Sequence, residues 1–257
     1  MTNPFRTDEP VLRRRAALPA AALLGLALTA CAPPTATRDP GFNDPYEPSN
    51  RQIHGFNKAV DQTLFGGGGK RGVIPKIPKP LARGFSNFTA NLGAPSNVLN
   101  SVLQGRPGPA ASNTLRFAVN TTAGIGGLID VASALGLPRE DTDFGETLHV
   151  WGVPEGAYLE MPFIGPSTER DIAGTIVGIA INPANTIFSP PESGYVVGAF
   201  LTAKVGERQR FAGTVESILY ESADSYAQSR LLYLQNRRFE LGQEEEVIDP
   251  NEDPYAP

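Results

Sequence analysis

Residues 172–205 read IAGTIVGIAINPANTIFSPPESGYVVGAFLTAKV, and across them only Glu192 and Lys204 carry charge. Pro183, Pro190 and Pro191 cut the stretch into apolar pieces of about eleven and thirteen residues, whereas a straight helix needs about 20 to cross a hydrocarbon core. Two readings compete for such pieces: a buried hairpin inside a soluble protein, or short segments set partway into lipid. The same punctuation runs through the whole chain, which holds 27 Gly and 24 Pro in 257 residues. Short helices joined at sharp corners are therefore expected, not long regular ones.

N-terminal to this region the helical signals are regular. A helix is predicted after Asp44-Pro45-Tyr46-Glu47-Pro48, capped by Ser49 or Asn50, with Ile53, Phe56, Val60 and Leu64 on one face. Gly66 to Gly69 ends it, and Lys70 to Lys79 (KRGVIPKIPK) is broken by Gly and Pro into an irregular run. Further helices are predicted over Pro80–Leu92, Pro95–Leu103 and Ala110–Thr122, the first two opening near a Pro in the favoured first turn. A short helix follows near Asp143–Val150, and Gly156 to Phe163 reads as an extended segment or hairpin. Ser167-Thr168-Glu169-Arg170-Asp171 is a helix start. Amphipathic helices are expected over Glu207–Tyr220 and Asp224–Leu241.

The extreme N-terminus decides where the chain acts. Arg13, Arg14 and Arg15 precede an apolar run from Ala16 to Leu28, a pattern of bacterial export that is too short to span. It closes on Leu28-Thr29-Ala30-Cys31, and Cys31 is the only cysteine. A Leu-small-small-Cys ending resembles a lipobox, with cleavage after Ala30 and acylation of Cys31. Each buried lipid CH₂ contributes roughly 0.8 kcal/mol, so the chains on one acylated cysteine suffice for stable anchoring. Ala32, where an Asp would favour inner-membrane retention, points to the outer membrane. Domain organisation is then a signal over 1–30, a polar Pro-rich tether over 31–43, a folded body over 44–242, and an acidic disordered tail over 243–257. The body, with the tail about 225 residues, is large enough for one domain with a sizeable core.

Charge and catalytic inventory are short. The net charge of −5 is mild, and Glu244, Glu245, Glu246, Asp249, Glu252 and Asp253 concentrate it in the tail. No basic stripe with interleaved aromatics suggests nucleic acid. His54 and His149 are the only histidines, neither with a ligand-spaced partner, so no metal is expected. No Gly-x-Ser-x-Gly elbow occurs, and Glu140-Asp141-Thr142-Asp143 reads as a loop and helix cap. No cofactor and no catalytic residue is nominated. Ala123 to Ala132 holds Gly124, Gly126 and Gly127; without a preceding strand these read as a kink or a close helix contact, not a phosphate cradle.

The body motifs speak together. Asp44-Pro45-x-Glu47-x-x-Asn50-Arg51, Ala82-Arg83-x-x-Ser86-Asn87-Phe88-Thr89-x-Asn91-Leu92, Leu103-Gln104-Gly105 and Arg116-Phe117-x-x-Asn120-Thr121 occur in order, followed by Gly124 to Ala132. Then come Phe144-Gly145-x-Thr147-Leu148, Trp151-Gly152-Val153, Leu159-x-Met161-Pro162-Phe163-x-Gly165-Pro166-Ser167, Arg170-Asp171 and Asp224-x-Tyr226, where the family often has Pro at the position of Ser225. This series resembles the MlaA (VacJ) family of outer-membrane lipoproteins, from which Gly66 to Gly69 and the Pro-rich run after them depart.

The resemblance implies an all-α fold: a compact, ring-like bundle of short Gly/Pro-broken helices partly embedded in the periplasmic leaflet of the outer membrane, with one short hairpin. It implies no enzyme and no cofactor. Misplaced phospholipids would pass through an amphipathic channel to a soluble periplasmic carrier, with trimeric outer-membrane porins as partners. It turns the reading of Ile172–Val205 towards lipid, offers Lys70, Arg71, Lys76 and Lys79 to anionic headgroups or to solvent, and sets Gly124, Gly126, Gly127, Val153, Gly156 and Tyr158 beside the channel or its gate. A structural porin-associated lipoprotein and a lipid or peptidoglycan hydrolase are the alternatives.

Overall fold

A computed structural model describes residues 42–182 and 192–243. Cys31, the tether as far as residue 41, the acidic tail beyond residue 243 and residues 183–191 lie outside the described residues. Phe42 and Asn43, expected in the tether, belong to the folded body, Phe42 against the core and Asn43 bonded to Gly156 and Tyr158. The described chain is helical with two short antiparallel hairpins, in the order α1 (Glu47–Phe65), β1 (Gly66–Gly67), β2 (Lys70–Arg71), α2 (Lys79–Leu103), α3 (Pro107–Thr122), α4 (Val131–Ala134), α5 (Phe144–Val150), β3 (Tyr158–Met161), β4 (Gly165–Thr168), α6 (Glu169–Ile181), α7 (Glu192–Arg210), α8 (Ala212–Glu216), a π-helical turn (Ser217–Glu221) and α9 (Ser225–Glu240). Among the described residues no helix is long and apolar enough to cross a membrane.

Several starts follow their local chemistry. Asp143, Thr168 and Asp224 cap α5, α6 and α9, each side chain accepting from a backbone N–H of the first turn. The expected caps of α1 do not act as such. Its N-cap is Tyr46, with no side-chain bond, and Ser49 and Asn50 lie inside the first turns. Pro48 supplies the pre-set φ of a first turn, so no capping side chain is needed there.

Elsewhere the expected boundaries move. Pro80–Leu92 and Pro95–Leu103 are one continuous helix, α2, with Pro95 inside it. An interior proline costs about 3 kcal/mol, but α2 is packed along its length on α3 and α7, and that packing offsets the lost backbone bond. Helix α3 begins at Pro107, earlier than Ala110, with its Pro in the first turn. Glu207 starts no helix: α7 runs through it to Arg210, and α8 and the π turn follow. Gly66 to Gly69 do more than end α1. All four adopt positive φ, which lets the chain fold back at once so that Gly66 faces Arg71 and Gly67 faces Lys70.

Burial is inverted relative to a water-soluble domain. Among the described residues, buried polar and charged side chains outnumber buried apolar ones, and many of the latter are alanines. On α1 the buried residues are Asn50 and His54, while Phe56, from the expected apolar face, is exposed. The apolar core is small: Tyr158, Tyr226 and Leu234, with Phe42 and Tyr233 against it. The polar interior is held by paired groups. Arg116 meets Asp130, Arg230 meets Asp44, and Arg237 meets both Asp143 and Asp171, as buried charge requires. Outside, Ile176 and Ile179 of α6 and Val197, Phe200 and Leu201 of α7 are exposed. Exposed apolar surface of this extent marks contact with lipid or protein.

Candidate functional site

A cavity of about 890 Å³ opens between the strap that follows β2, the first turns of α2 and the C-terminal end of α7; small-molecule sites generally fall between about 300 and 1,000 Å³. The strap has few amides to spare, because Pro75 and Pro78 have none. Those it has are placed by α1 and α7. Val73 and Ile74 donate to the carbonyls of Thr63 and Leu64 at 3.1 and 2.8 Å. The Gln209 side-chain amide accepts from Ile77 N–H and donates to Pro75 O, each at 2.9 Å. One side chain of α7 thus fixes the irregular strap at two points.

The cavity's other walls are equally set. Arg208 donates to both oxygens of Asp61 at 2.6 and 2.8 Å, and Tyr220 OH donates to the same carboxylate at 2.9 Å. The bond to Asp61 raises the Arg208 pKa still further. Helices α2 and α7 cross closely because Gly206 lacks a side chain: a Cβ there would lie 2.7 Å from Ala82 Cβ. Phe65, Val73, Ile74 and Ile77 supply apolar lining, and Arg71, Lys76, Lys79 and Arg83 supply charge. The single lining carboxylate, Glu207, is taken by Lys204 at 2.9 Å. The site is amphipathic and cationic.

The expected channel residues occupy other places. Gly127, at φ +94°, lies so close to α2 that a Cβ would come 2.5 Å from Asn91 Cβ, and a Cβ on Gly124 would come 2.2 Å from Ile129 O. Gly126, at φ +67°, faces open space. This loop adjoins the cavity through Asn87, which lines the cavity and donates to Leu128 O at 3.2 Å. Gly156 packs on Glu169, and Val153 is 38% exposed. Tyr158 is a core residue, 1% exposed, donating to Glu160 at 2.6 Å; burial and that carboxylate push its phenol pKa well up. None of these six lines the 890 Å³ cavity. Its strap cations were legible as headgroup candidates, but Arg208 and Gln209 were not, and the polar end of an otherwise apolar helix was the available signal.

The fold also gathers a Ser-His-Glu series that no spacing suggested. His54 lies 3.1 Å from Ser225 Oγ through Nε2 and 3.4 Å from Glu160 Oε1 through Nδ1. A nucleophilic relay needs space for substrate and donors for an oxyanion. Here none of the three lines the cavity, Lys58 Nζ lies 3.5 Å from the same hydroxyl, and Glu160 is shared with Tyr158 and Asn57. The arrangement is an interior hydrogen-bond network joining α1, β3 and α9. Among the described residues no set of His, Asp and Glu gathers to hold a metal ion.

The MlaA lipoprotein family model matches residues 42–240. The chain belongs to the MlaA lipoprotein family. Among curated relatives, an intermembrane phospholipid transport system lipoprotein MlaA of Shigella flexneri is 33% identical over 242 residues, covering 93% of each chain. The protein of the same name from Escherichia coli is 32% identical over 242 residues with the same coverage. A Haemophilus influenzae counterpart is 31% identical over 229 residues, covering 86% of this chain and 88% of its own. A solved structure, described as the structural basis for maintenance of bacterial outer membrane lipid asymmetry, superposes with a TM-score of 0.63 at 29% identity, covering 77% of this chain and 98% of that one. The family's motif residues are those that hold the MlaA fold here: Asp44 takes Arg230, Asn50 takes β3, and Arg116 takes Asp130.

Proposed function

We propose that this chain is an outer-membrane lipoprotein of a phospholipid transport system, anchored through Cys31 and set into the periplasmic leaflet. In this reading it takes misplaced phospholipids from the outer leaflet and passes them to a soluble periplasmic carrier, beside trimeric porins. It carries out no covalent chemistry. One observation carries the reading: the inverted burial, with paired polar groups inside and apolar side chains on α6 and α7 facing out. Helices too short to span can rest in one leaflet when their backbone groups stay satisfied within the protein. The cavity supports it, since a lipid needs an apolar wall for its chains and a polar, cationic one for its phosphate. The names of the relatives, which are those of phospholipid transport lipoproteins, agree with it.

The test is outer-leaflet phospholipid in cells that lack the protein, assayed with an external phospholipase. An increase over the parent is expected, restored by the intact gene, together with sensitivity to detergents and bile salts. Packed lipopolysaccharide is bridged by divalent cations, and phospholipid patches are not. Equal outer-leaflet phospholipid in both strains would overturn the proposal. A scaffold that moves no lipid predicts that equality.

A further inference from the structure

We propose that the cavity selects phospholipids whose headgroup bears a net negative charge over zwitterionic ones, which deepens and rests on the conduit reading above. The selecting groups are Arg71, Lys76, Lys79 and Arg83. All four line the cavity, and among the described residues none has an ion-pair partner. The charges that could neutralise them are engaged elsewhere: Asp61 holds Arg208 and Glu207 holds Lys204. Their side chains are exposed, but the backbone that carries them is fixed. Arg71 is locked in β2 opposite Gly66, Lys76 sits between the two strap atoms that Gln209 binds, and Lys79 and Arg83 share the first turns of α2.

A zwitterionic headgroup brings its own ammonium beside the phosphate, so it would place a cation among four cations. A glycerol or similar neutral headgroup brings the phosphate charge alone. The difference is one unit of charge in a partly enclosed site, and electrostatic attraction of about 1 kcal/mol per Lys or Arg near anionic lipid corresponds to about fivefold in occupancy. The apolar lining of Phe65, Val73, Ile74 and Ile77 argues for lipid over a free anion, because an inorganic phosphate gains nothing from it.

The experiment uses the full acylated protein, extracted in neutral detergent from membranes of known composition, with bound lipid quantified by mass spectrometry. The ratio of phosphatidylglycerol to phosphatidylethanolamine on the protein is expected to exceed that of the membrane about fivefold, and to fall towards it in about 0.5 M salt, where exposed charges are screened. The variant R71Q/K76Q/K79Q/R83Q is expected to carry less lipid, and that at the membrane's ratio, with an unchanged thermal transition as the fold control. Lipid bound at the membrane's ratio by the intact protein would overturn the selectivity and leave the conduit standing. Absence of bound lipid of either kind would overturn the conduit reading itself. Complete displacement of phosphatidylglycerol by millimolar inorganic phosphate would reassign the cavity to free anions. If the variant fails to fold, the salt dependence of the intact protein decides: a ratio that stays raised at high salt rules out selection by charge.

Discussion

Arg230 donates from Nη1 to Asp44 Oδ2 at 2.6 Å, joining the last helix to the residues that precede the first, with both side chains buried. Tyr226 OH donates to the same carboxylate oxygen, and Asn50 donates to the other at 2.9 Å. Asp44 therefore gathers α1, α9 and the chain's entry to the fold around one buried charge. Asp44→Asn removes the nearer carboxylate of that arginine and leaves it Glu47 at 3.6 Å, so a loss at or below the roughly 3 kcal/mol of a broken buried pair is expected. Thermal unfolding in detergent should fall accordingly, and pairing Asp44→Asn with Arg230→Met should recover much of the loss. A single variant as stable as the parent would contradict this.

Acid should loosen the fold through Asp130. Burial alone would raise its pKa, but hydrogen bonds from Ser133, Asn120 and Arg116 outweigh that and lower it from 3.8 to about 2. A folded value below the unfolded one means that the contribution is complete above the unfolded pKa and is lost as pH falls through the folded one. Melting temperature should thus decline between pH 3.8 and about 2. Asp171 behaves alike: burial opposes ionisation, but Arg237 and Tyr233 hold its pKa down. Asp130→Asn should therefore flatten the decline only in part, while lowering stability at neutral pH by about 2 kcal/mol because Arg116 loses its charged partner. An unaltered pH profile in that variant would exclude Asp130 as a source.

Two neighbouring glycines should respond differently to the same methyl group. Gly127→Ala combines positive φ with a Cβ only 2.5 Å from Asn91, whereas Gly126→Ala meets positive φ and open space. The second pays only the left-handed backbone cost, about 1–2 kcal/mol. The first must also move α2, so a larger fall in melting temperature is expected for it. Similar losses in the two would remove the close contact as the reason for glycine at 127.

What was legible in the sequence was what is local. Caps at Asp143 and Thr168 and the extended segment within Gly156 to Phe163 are fixed by residues within a few positions of one another, and they sit where spacing put them. What was not legible depends on distance along the chain. Asn50 reads as a cap until β3, more than a hundred residues away, supplies Tyr158 O and Glu160 N for its amide. Pro95 reads as a helix start until α3 and α7 hold the helix together on both sides of it. The apolar stripe of α1 reads as a core face because periodicity gives a face but not the medium it meets. The candidate cavity was half visible: its strap cations stand together in sequence, but Arg208 and Gln209 join them only through the fold.

The Ser225–His54–Glu160 series should be silent chemically. Ser225→Ala removes the hydroxyl that accepts from Lys58 and faces His54, and a loss of about 1 kcal/mol in stability is expected, the net worth of such hydrogen bonds. Purified protein should release no fatty acid or lysophospholipid from vesicles, with or without the substitution. Release that disappears in Ser225→Ala would revive a hydrolase and displace the conduit reading.

The apolar exterior gives the sharpest contrast with a water-soluble domain. Ile176 on α6 and Leu201 on α7 are each 64% exposed, so Lys at either should leave folding within about 0.5 kcal/mol if the surroundings are water. If those faces lie in hydrocarbon, each Lys costs up to about 2.5–3.5 kcal/mol at the bilayer centre and less near headgroups. The proposed acyl anchor at Cys31 would mask the difference, so the test body is exported behind a plain cleavable leader with Ala at position 31. That unacylated body should partly stay with outer membranes through a high-pH carbonate wash, held by α6 and α7. Adding Ile176→Lys and Leu201→Lys should release it, a shift of tenfold or more in the bound fraction, each 1.4 kcal/mol being tenfold, with circular dichroism unchanged. Full release of the unsubstituted body would mean that Cys31 is the whole anchor and that the exposed apolar faces of α6 and α7 meet something other than lipid.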